Sequence, residues 1–546
     1  MKAVIIDGYV DEPAVLGVTP YISPYIRYSA GALMYRGIEV DYYTIDYVRE
    51  KFLWQSFNSY DYLIIIAGTT VPGHYLSGTP INVKEIRELF YLNKNPLRVI
   101  GGPITKGYTI TGGRSAEELE KIIGDVSDYI VEGSIEKFLF DYPVSDEIDL
   151  KAFSDYSLID LISPYGSEII KKHDRYPDVM IEMEISRGCD RKEGFCSFCT
   201  EPLINGAYRE RTAEGIISEM KSLNKQGAAN FRFGRSANIL AYGMTFNKGN
   251  PNPELIEELY SEASEISDIL HTDNANPEFI IKNESASKKI LEIISKYNTS
   301  GDILSFGLET FDDSVSEKNR ISLRAEDSVK AIRIVNEICS KRDENGIPKL
   351  LPGINILYGL IGETKNTYEI NKKYLNLILK ENLMVRRINV RQVMAFPGTK
   401  LYLAKEKINK KDFIKFKEFM EDYNHEMIRK VFPLGTFIPN LITEETKGNI
   451  SFARQIATYP VLCGIGRKFE KREKFNGIVV GHGSRSLSVV KDDFSLENAN
   501  YEELITINGI GKKTASKIFE TKSTENIEPE QKIIMEKIIN FTKNNK

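Results

Sequence analysis

Three of the chain's five cysteines, Cys189, Cys196 and Cys199, share one short stretch that begins Ser186-Arg187-Gly188. It leaves an apolar, alternating run, Asp178 to Ile185, that reads as a β-strand. Thiolates are soft anionic donors. Three of them on a glycine-containing loop suit three irons of a [4Fe–4S] cubane, with the fourth iron open to a small ligand. Two plainer readings compete. Structural zinc takes four ligands, and of five histidines only His173 is near this loop in sequence. Alternatively the cysteines are unligated and structural. An odd cluster with two distant singletons, Cys339 and Cys463, does not make a disulfide framework, and both singletons read as core residues.

Repeated strand–helix units follow the loop, the pattern of a parallel (β/α) barrel, whose active groups project from the carboxyl ends of strands. In this setting the cysteine loop resembles that of the radical S-adenosylmethionine (SAM) superfamily. Phe198 stands where that family packs an aromatic ring on adenine. Asn230 to Arg235 ends near Gly234, Arg235 and Ser236, where the family commonly has Gly-Gly-Glu to receive the SAM amino group; the acidic residue is absent here. Ile303 to Thr310 resembles the fourth strand, with Glu309 at its end and Arg320 at the spacing many members show. Gly353 to Thr364, with Gly359 and Ile361, resembles the fifth-strand motif flanking adenine, and Val390 to Phe396 the sixth strand before Pro397-Gly398. His271 to Asn276 ends the third strand and is polar enough to face the cavity. The common cysteine spacing is three residues then two, whereas six separate Cys189 from Cys196, a longer loop that keeps the Cys196–Cys199 turn. The resemblance implies a [4Fe–4S] cluster, SAM, and an electron donor such as a ferredoxin or flavodoxin. It also implies a radical that abstracts hydrogen from an unactivated carbon.

The first 150 residues read as an open α/β sheet with strands at Ala3–Ile6, Glu39–Tyr43, Tyr62–Ala67, Arg98–Gly102 and Tyr129–Val131. The layout resembles the cobalamin-binding-type domain that precedes many radical SAM barrels, with Thr69, Thr70, Gly101 and Gly102 as the turn residues for a corrinoid. The Asp-x-His-x-x-Gly motif is missing and His74 is the domain's histidine, so cobalamin is neither demanded nor excluded. Methylthiotransferases carry three further cysteines here for a second cluster. Residues 1–188 contain none, which argues against sulfur insertion.

Beyond the barrel, Lys405 to Lys430 has helical period, and short strand-like runs follow. From Lys447 to Lys491 there are nine basic residues and two acidic ones, against −5 for the whole chain. This basic, strand-rich module suggests polyanion binding, with a solvated basic face as the plain alternative. It resembles the TRAM-type β-barrel of tRNA methylthiotransferases. Tyr501 to Ile518 matches a helix-hairpin-helix, in which Gly509 and Gly511 open backbone N–H groups to a phosphate and Lys512 and Lys513 add charge.

The expected fold class is α/β. It comprises an N-terminal open Rossmann-like, cobalamin-binding-like sheet (1–150), a radical SAM partial barrel (175–405), a helical connector (406–445), a basic TRAM-like module (446–492) and a helix-hairpin-helix (495–546). With 42% hydrophobic and 27% charged residues the chain has ample core. No apolar run reaches the ~20 residues of a membrane span, and Met1 leads straight into a strand. Unpaired cysteines and an oxygen-labile cluster point to a reducing cytoplasm. The whole order resembles an archaeal-type radical SAM family. The expected function is radical modification of RNA, foremost a tRNA nucleoside, by methyl or alkyl transfer. A small-molecule or peptide substrate with an assembling tail is the alternative, and a DNA-associated iron–sulfur factor a third.

Overall fold

The computed structural model describes residues 1–10, 21–69, 78–143, 148–191, 194–321, 323–406 and 408–544. Its N-terminal sheet has five parallel strands in the order Glu39–Thr44, Lys2–Asp7, Tyr62–Ile66, Leu97–Gly101, Tyr129–Val131. Side chains alternate across such a sheet, and here both faces are buried. Ala3, Ile5, Ile64 and Val99 join one core, while Val4, Ile6, Leu63 and Ile100 join another on the opposite face. That is why these strands read as continuous apolar runs.

The catalytic-type barrel is open and parallel. Met180–Glu184, Asn230–Arg235 and Ile269–Thr272 form one side. Asn274–Ala275, Asp302–Glu309, Leu350–Tyr358 and Arg387–Gln392 form the other. The short strand Tyr21–Ile22 adds to the free edge of Met180–Glu184, so the N-terminal region extends the barrel, a pairing not expected from sequence. Loop residues Tyr108 to Glu117 lie over the opposite rim. Gly113 and Ala116 donate N–H groups to the carbonyls of Val393 and Ala395, at 2.9 and 2.7 Å.

The helix Lys410–Val431 runs from the carboxyl ends of the strands back to their beginnings. There the chain enters a closed five-stranded barrel in the order Phe437–Lys447, Ile450–Arg454, Leu462–Ile465, Ser486–Lys491, Lys474–His482. The first strand begins within the stretch expected as helical connector (406–445), because its polar end, Thr443-Glu444-Glu445-Thr446-Lys447, masks it in sequence. Residues 455–461 push into the larger barrel from the end where its strands start. Thr458 N–H donates to His271 Nδ1 at 3.1 Å, and Tyr459 OH donates to Asp273 Oδ1 at 2.9 Å. Several of the basic residues counted in sequence dock this module: Lys474 meets Asp178 at 2.7 Å, Arg467 meets Glu503 at 2.9 Å, and Arg472 donates to the Asp174 carbonyl.

The helices Tyr501–Thr506 and Lys512–Thr521 flank the turn at Gly509, followed by Pro529–Asn544. Asn500 and Glu503 make a reciprocal capping box that starts the first helix. Leu504, Ile507, Ile510, Ala515 and Ile518 pack with Ile478, Val480 and Val490 of the small barrel. Among the described residues no helix is long and apolar enough to cross a membrane.

Candidate active site

The cysteine loop leaves the carboxyl end of Met180–Glu184, as its sequence position required. Cys199 N–H donates to the Cys196 carbonyl at 3.1 Å, closing a tight turn between two of the three thiols. All three cysteines are half-buried, whereas Cys339 and Cys463 are fully buried elsewhere. Among the described residues no three His, Cys, Asp or Glu side chains converge as they would around a single metal ion. A cubane does not ask for such convergence, because its ligands sit on separate irons rather than one. Burial pushes Cys189 up to about 11 and Cys199 up to about 12. Bare thiols here stay protonated, and cationic irons supply the charge that thiolates need.

Two residues missed in sequence hold the loop. Asn319, fully buried, accepts from Ser197 Oγ at 2.5 Å and from Ile361 N–H at 3.1 Å, and donates to the carbonyls of Val315 at 2.8 Å and Ile361 at 3.0 Å. One amide thus ties the cysteine loop to the Arg320 turn and to the fifth-strand motif. Arg191 pairs with Glu278 at 2.9 Å, approaches Cys196 Sγ at 3.5 Å, and donates to the carbonyls of Arg320 and Ile321. Ordinary loop residues such as these carry no periodic signal; apart from Val315 and Cys196, their partners lie 42 to 130 positions away.

Beside the loop, at the barrel mouth, lies a cavity of about 400 Å³, a volume suited to one molecule of SAM's size. Phe198, Leu357, Val390 and Phe396 supply apolar walls, while Thr69, Asn355, Gln392 and Arg391 supply polar groups. Glu309 also lines it. Burial pushes its carboxyl up to about 8, and its Oε2 has no hydrogen-bond partner. An orphaned oxygen in a cavity of this size is a place for a ligand donor. The site therefore fits both a cubane and SAM.

The other expected positions fall differently. Gly359 and Ile361 stand beneath the cysteine loop with Leu360, which packs against Cys196 and Phe198. Gly234 lies against the buried Glu182–Arg232 pair. Arg235 is held by Tyr25 OH at 3.0 Å, Asn205 Oδ1 at 3.4 Å and Glu184 at 3.7 Å. Ser236 accepts from Ser186 Oγ at 3.0 Å and from Asn238 N–H at 3.2 Å. These three are engaged within the protein at the neighbouring strand end and do not line the mouth cavity.

Gly101 and Gly102 serve the N-terminal domain itself. A Cβ on Gly102, whose φ is 95°, would lie 2.6 Å from the Ala67 carbonyl, and one on Gly101 would lie 2.6 Å from Ile135. Thr70 and His74 lie outside the described residues. Thr69, by contrast, lines the mouth cavity together with Gly112 of the Tyr108–Glu117 loop, so the N-terminal domain borders the site.

An open parallel barrel with three cysteines after its first strand, and a SAM-sized cavity at the strand ends, defines a radical SAM enzyme. The comparisons agree: residues 183–372 match the radical SAM superfamily, and the chain belongs to it. An uncharacterized protein of Methanocaldococcus jannaschii is 39% identical over 512 residues, covering 90% of this chain and 94% of that one. One from Archaeoglobus fulgidus is 35% identical over 513 residues, covering 92% of each. The ribosomal protein uS12 methylthiotransferase RimO of Caldanaerobacter subterraneus subsp. tengcongensis is 25% identical over 297 residues, 53% of this chain and 61% of RimO. In fold, the chain resembles the radical SAM methyltransferase TsrM of Kitasatospora setae, solved with cobalamin and a [4Fe–4S] cluster bound. The TM-score is 0.50 at 14% identity, over 73% of each chain.

Proposed function

We propose that the chain is an RNA-modifying radical SAM transferase that places a methyl or other alkyl group on an unactivated carbon of a tRNA nucleoside. The observation that carries the reading is the turn at Gly509–Lys513. Gly509, Gly511, Lys512 and Lys513 are all exposed, and Gly511 starts the Lys512–Thr521 helix without a side-chain cap. Its first N–H groups therefore point outward, toward a phosphate, with two lysines beside them. Contacts of this kind read backbone rather than sequence.

The cysteines would hold the cluster, and the mouth cavity SAM; when bound, they supply, with one electron from a ferredoxin or flavodoxin, a carbon radical that abstracts hydrogen. Phe198 and Phe396 wall the cavity for adenine. Glu309, Asn355 and Gln392 offer polar groups to ribose and to the reacting nucleoside. Arg191 and Asn319 keep the cysteine loop in register with these walls, and the Tyr108–Glu117 loop keeps water from the rim. No residue of this chain supplies a second cysteine cluster: outside the loop only Cys339 and Cys463 remain, both buried. Alkyl transfer is therefore favoured over sulfur insertion. The tail and small barrel lie at the strand-start end, so the RNA must be a folded one long enough to reach around to the mouth with a splayed-out nucleoside.

A protein side chain is the second reading, favoured by the likeness to RimO. Binding separates them. Lys512→Glu with Lys513→Glu should weaken RNA binding about equally for different sequences and lower the slope of log affinity against log salt by about two. Uncoupled SAM cleavage should be unchanged. Unaltered RNA affinity in that variant would move the protein-substrate reading ahead.

A further inference from the structure

Where the start of Arg387–Gln392, the far end of Lys410–Val431 and the small barrel meet, they enclose a cavity of about 100 Å³. Arg386, Arg387 and Arg485 line it with the amides of Asn389 and Asn424, and among the described residues no carboxylate does. Arg386 and Arg387 find ring faces and a carbonyl instead. Arg386 Cζ lies 4.9 Å from the Phe432 ring centre, and its Nη2 donates to the Tyr459 carbonyl at 3.2 Å. Arg387 Cζ lies 4.0 Å from the Tyr459 ring centre. A ring face attracts a cation without neutralising it.

The chain treats its other interior arginines differently. Arg27, Arg187, Arg211, Arg232 and Arg454 each meet a carboxylate. At the junction, burial lowers both Arg386, to about 10, and Arg387, and the neighbouring guanidinium lowers Arg386 further. Adjacent guanidiniums around a cavity that no described carboxylate lines are costly to keep, even with the Asp273 carboxylate raising Arg387 in part, and guanidinium forks match the oxygens of a phosphate.

We propose that this junction is an oxyanion site for a phosphate group, held by Arg386 and Arg387 of the large barrel and by Arg485 of the small one. The site joins two domains, so its occupant fixes the small barrel beneath the large one. The assignment stands whether or not RNA is the substrate: the phosphate belongs either to a polynucleotide backbone or to a phosphorylated small molecule.

The test uses the reconstituted full chain with inorganic phosphate as probe, against chloride at equal ionic strength. Phosphate should raise the thermal midpoint and broaden its own ³¹P resonance. Arg387→Gln should weaken phosphate at least about tenfold, by loss of one bidentate partner. Arg485→Gln, at an exposed hairpin position where folding is not at stake, should weaken it severalfold. An RNA stem–loop that displaces phosphate assigns the site to a polynucleotide; failure to displace it, with the variants still defective, assigns it to a phosphorylated small molecule. Equal stabilisation by chloride, or wild-type phosphate affinity in both variants, overturns the proposal.

Discussion

Replacing Asn319 by Ala should detach the cysteine loop from the two motifs that flank it. The amide is fully buried and makes four side-chain hydrogen bonds. Truncation strands Ser197 Oγ, Ile361 N–H and two carbonyls. A buried polar group left without a partner costs roughly 1–3 kcal/mol, and relaxation or an entering water rescues some of the four. A net loss of about 3 kcal/mol is expected, borne by the loop geometry that cluster binding requires. A tenfold change in an equilibrium corresponds to about 1.4 kcal/mol, so cluster retention should fall by about a hundredfold. The assay is iron and sulfide per chain after anaerobic reconstitution and challenge with a graded chelator, beside SAM cleavage under a chemical reductant. Asn319→Asp keeps the acceptor but loses both donations, and should fall between. Wild-type cluster retention and SAM cleavage in Asn319→Ala would refute the view that this amide holds the site together.

Ala at Cys189, Cys196 or Cys199 should each abolish SAM cleavage, whereas Cys339→Ala and Cys463→Ala should keep the cluster and lose only core packing, measured by iron content and thermal midpoint. Glu219 joins the N-terminal domain to the barrel by taking Arg27 at 2.8 Å and also Arg211, all at zero exposure. Glu219→Gln should lower unfolding stability by roughly 3–5 kcal/mol, and an unchanged denaturation midpoint would contradict that. Burial pushes His271 from 6.5 down to about 4, and its neutral Nδ1 accepts from Thr458. Because the folded pKa lies below the unfolded one, this stability is intact above pH 6.5 and is lost as pH falls toward 4, roughly 3 kcal/mol in all. His173, also lowered to about 4, keeps its own share, so His271→Gln should flatten the acid limb of a urea-midpoint profile without abolishing it.

The elements that position the cluster were legible because their signals are local. Three cysteines follow an alternating run, and strands buried on both faces read as apolar blocks. The first five principal barrel strands overlap the runs expected for them, whereas the sixth, Arg387–Gln392, starts and ends earlier than the expected Val390 to Phe396. What could not be read depends on long-range partners. Tyr21–Ile22 is two residues long and becomes a strand only by meeting Met180 and Ile181. Arg235 reads as free until Glu184, Tyr25 and Asn205 are seen around it. Gly101 and Gly102 read as a ligand cradle, but the close approach they permit is to the chain's own backbone and to Ile135. The basic count from Lys447 to Lys491 does not reveal that Arg467, Arg472 and Lys474 dock domains while Arg485 stays exposed. Asn319 is one asparagine among many until its four partners converge.

The central claim is that this radical SAM enzyme modifies a tRNA nucleoside. Its most direct test is mass spectrometry of nucleosides from purified tRNA of cells with and without the gene, complemented by the wild-type chain and by Cys196→Ala. One nucleoside should lose the mass of a methyl or larger alkyl group in the deletion strain, regain it with the wild-type chain, and fail to regain it with Cys196→Ala. Identical nucleoside profiles in all four strains would contradict the claim.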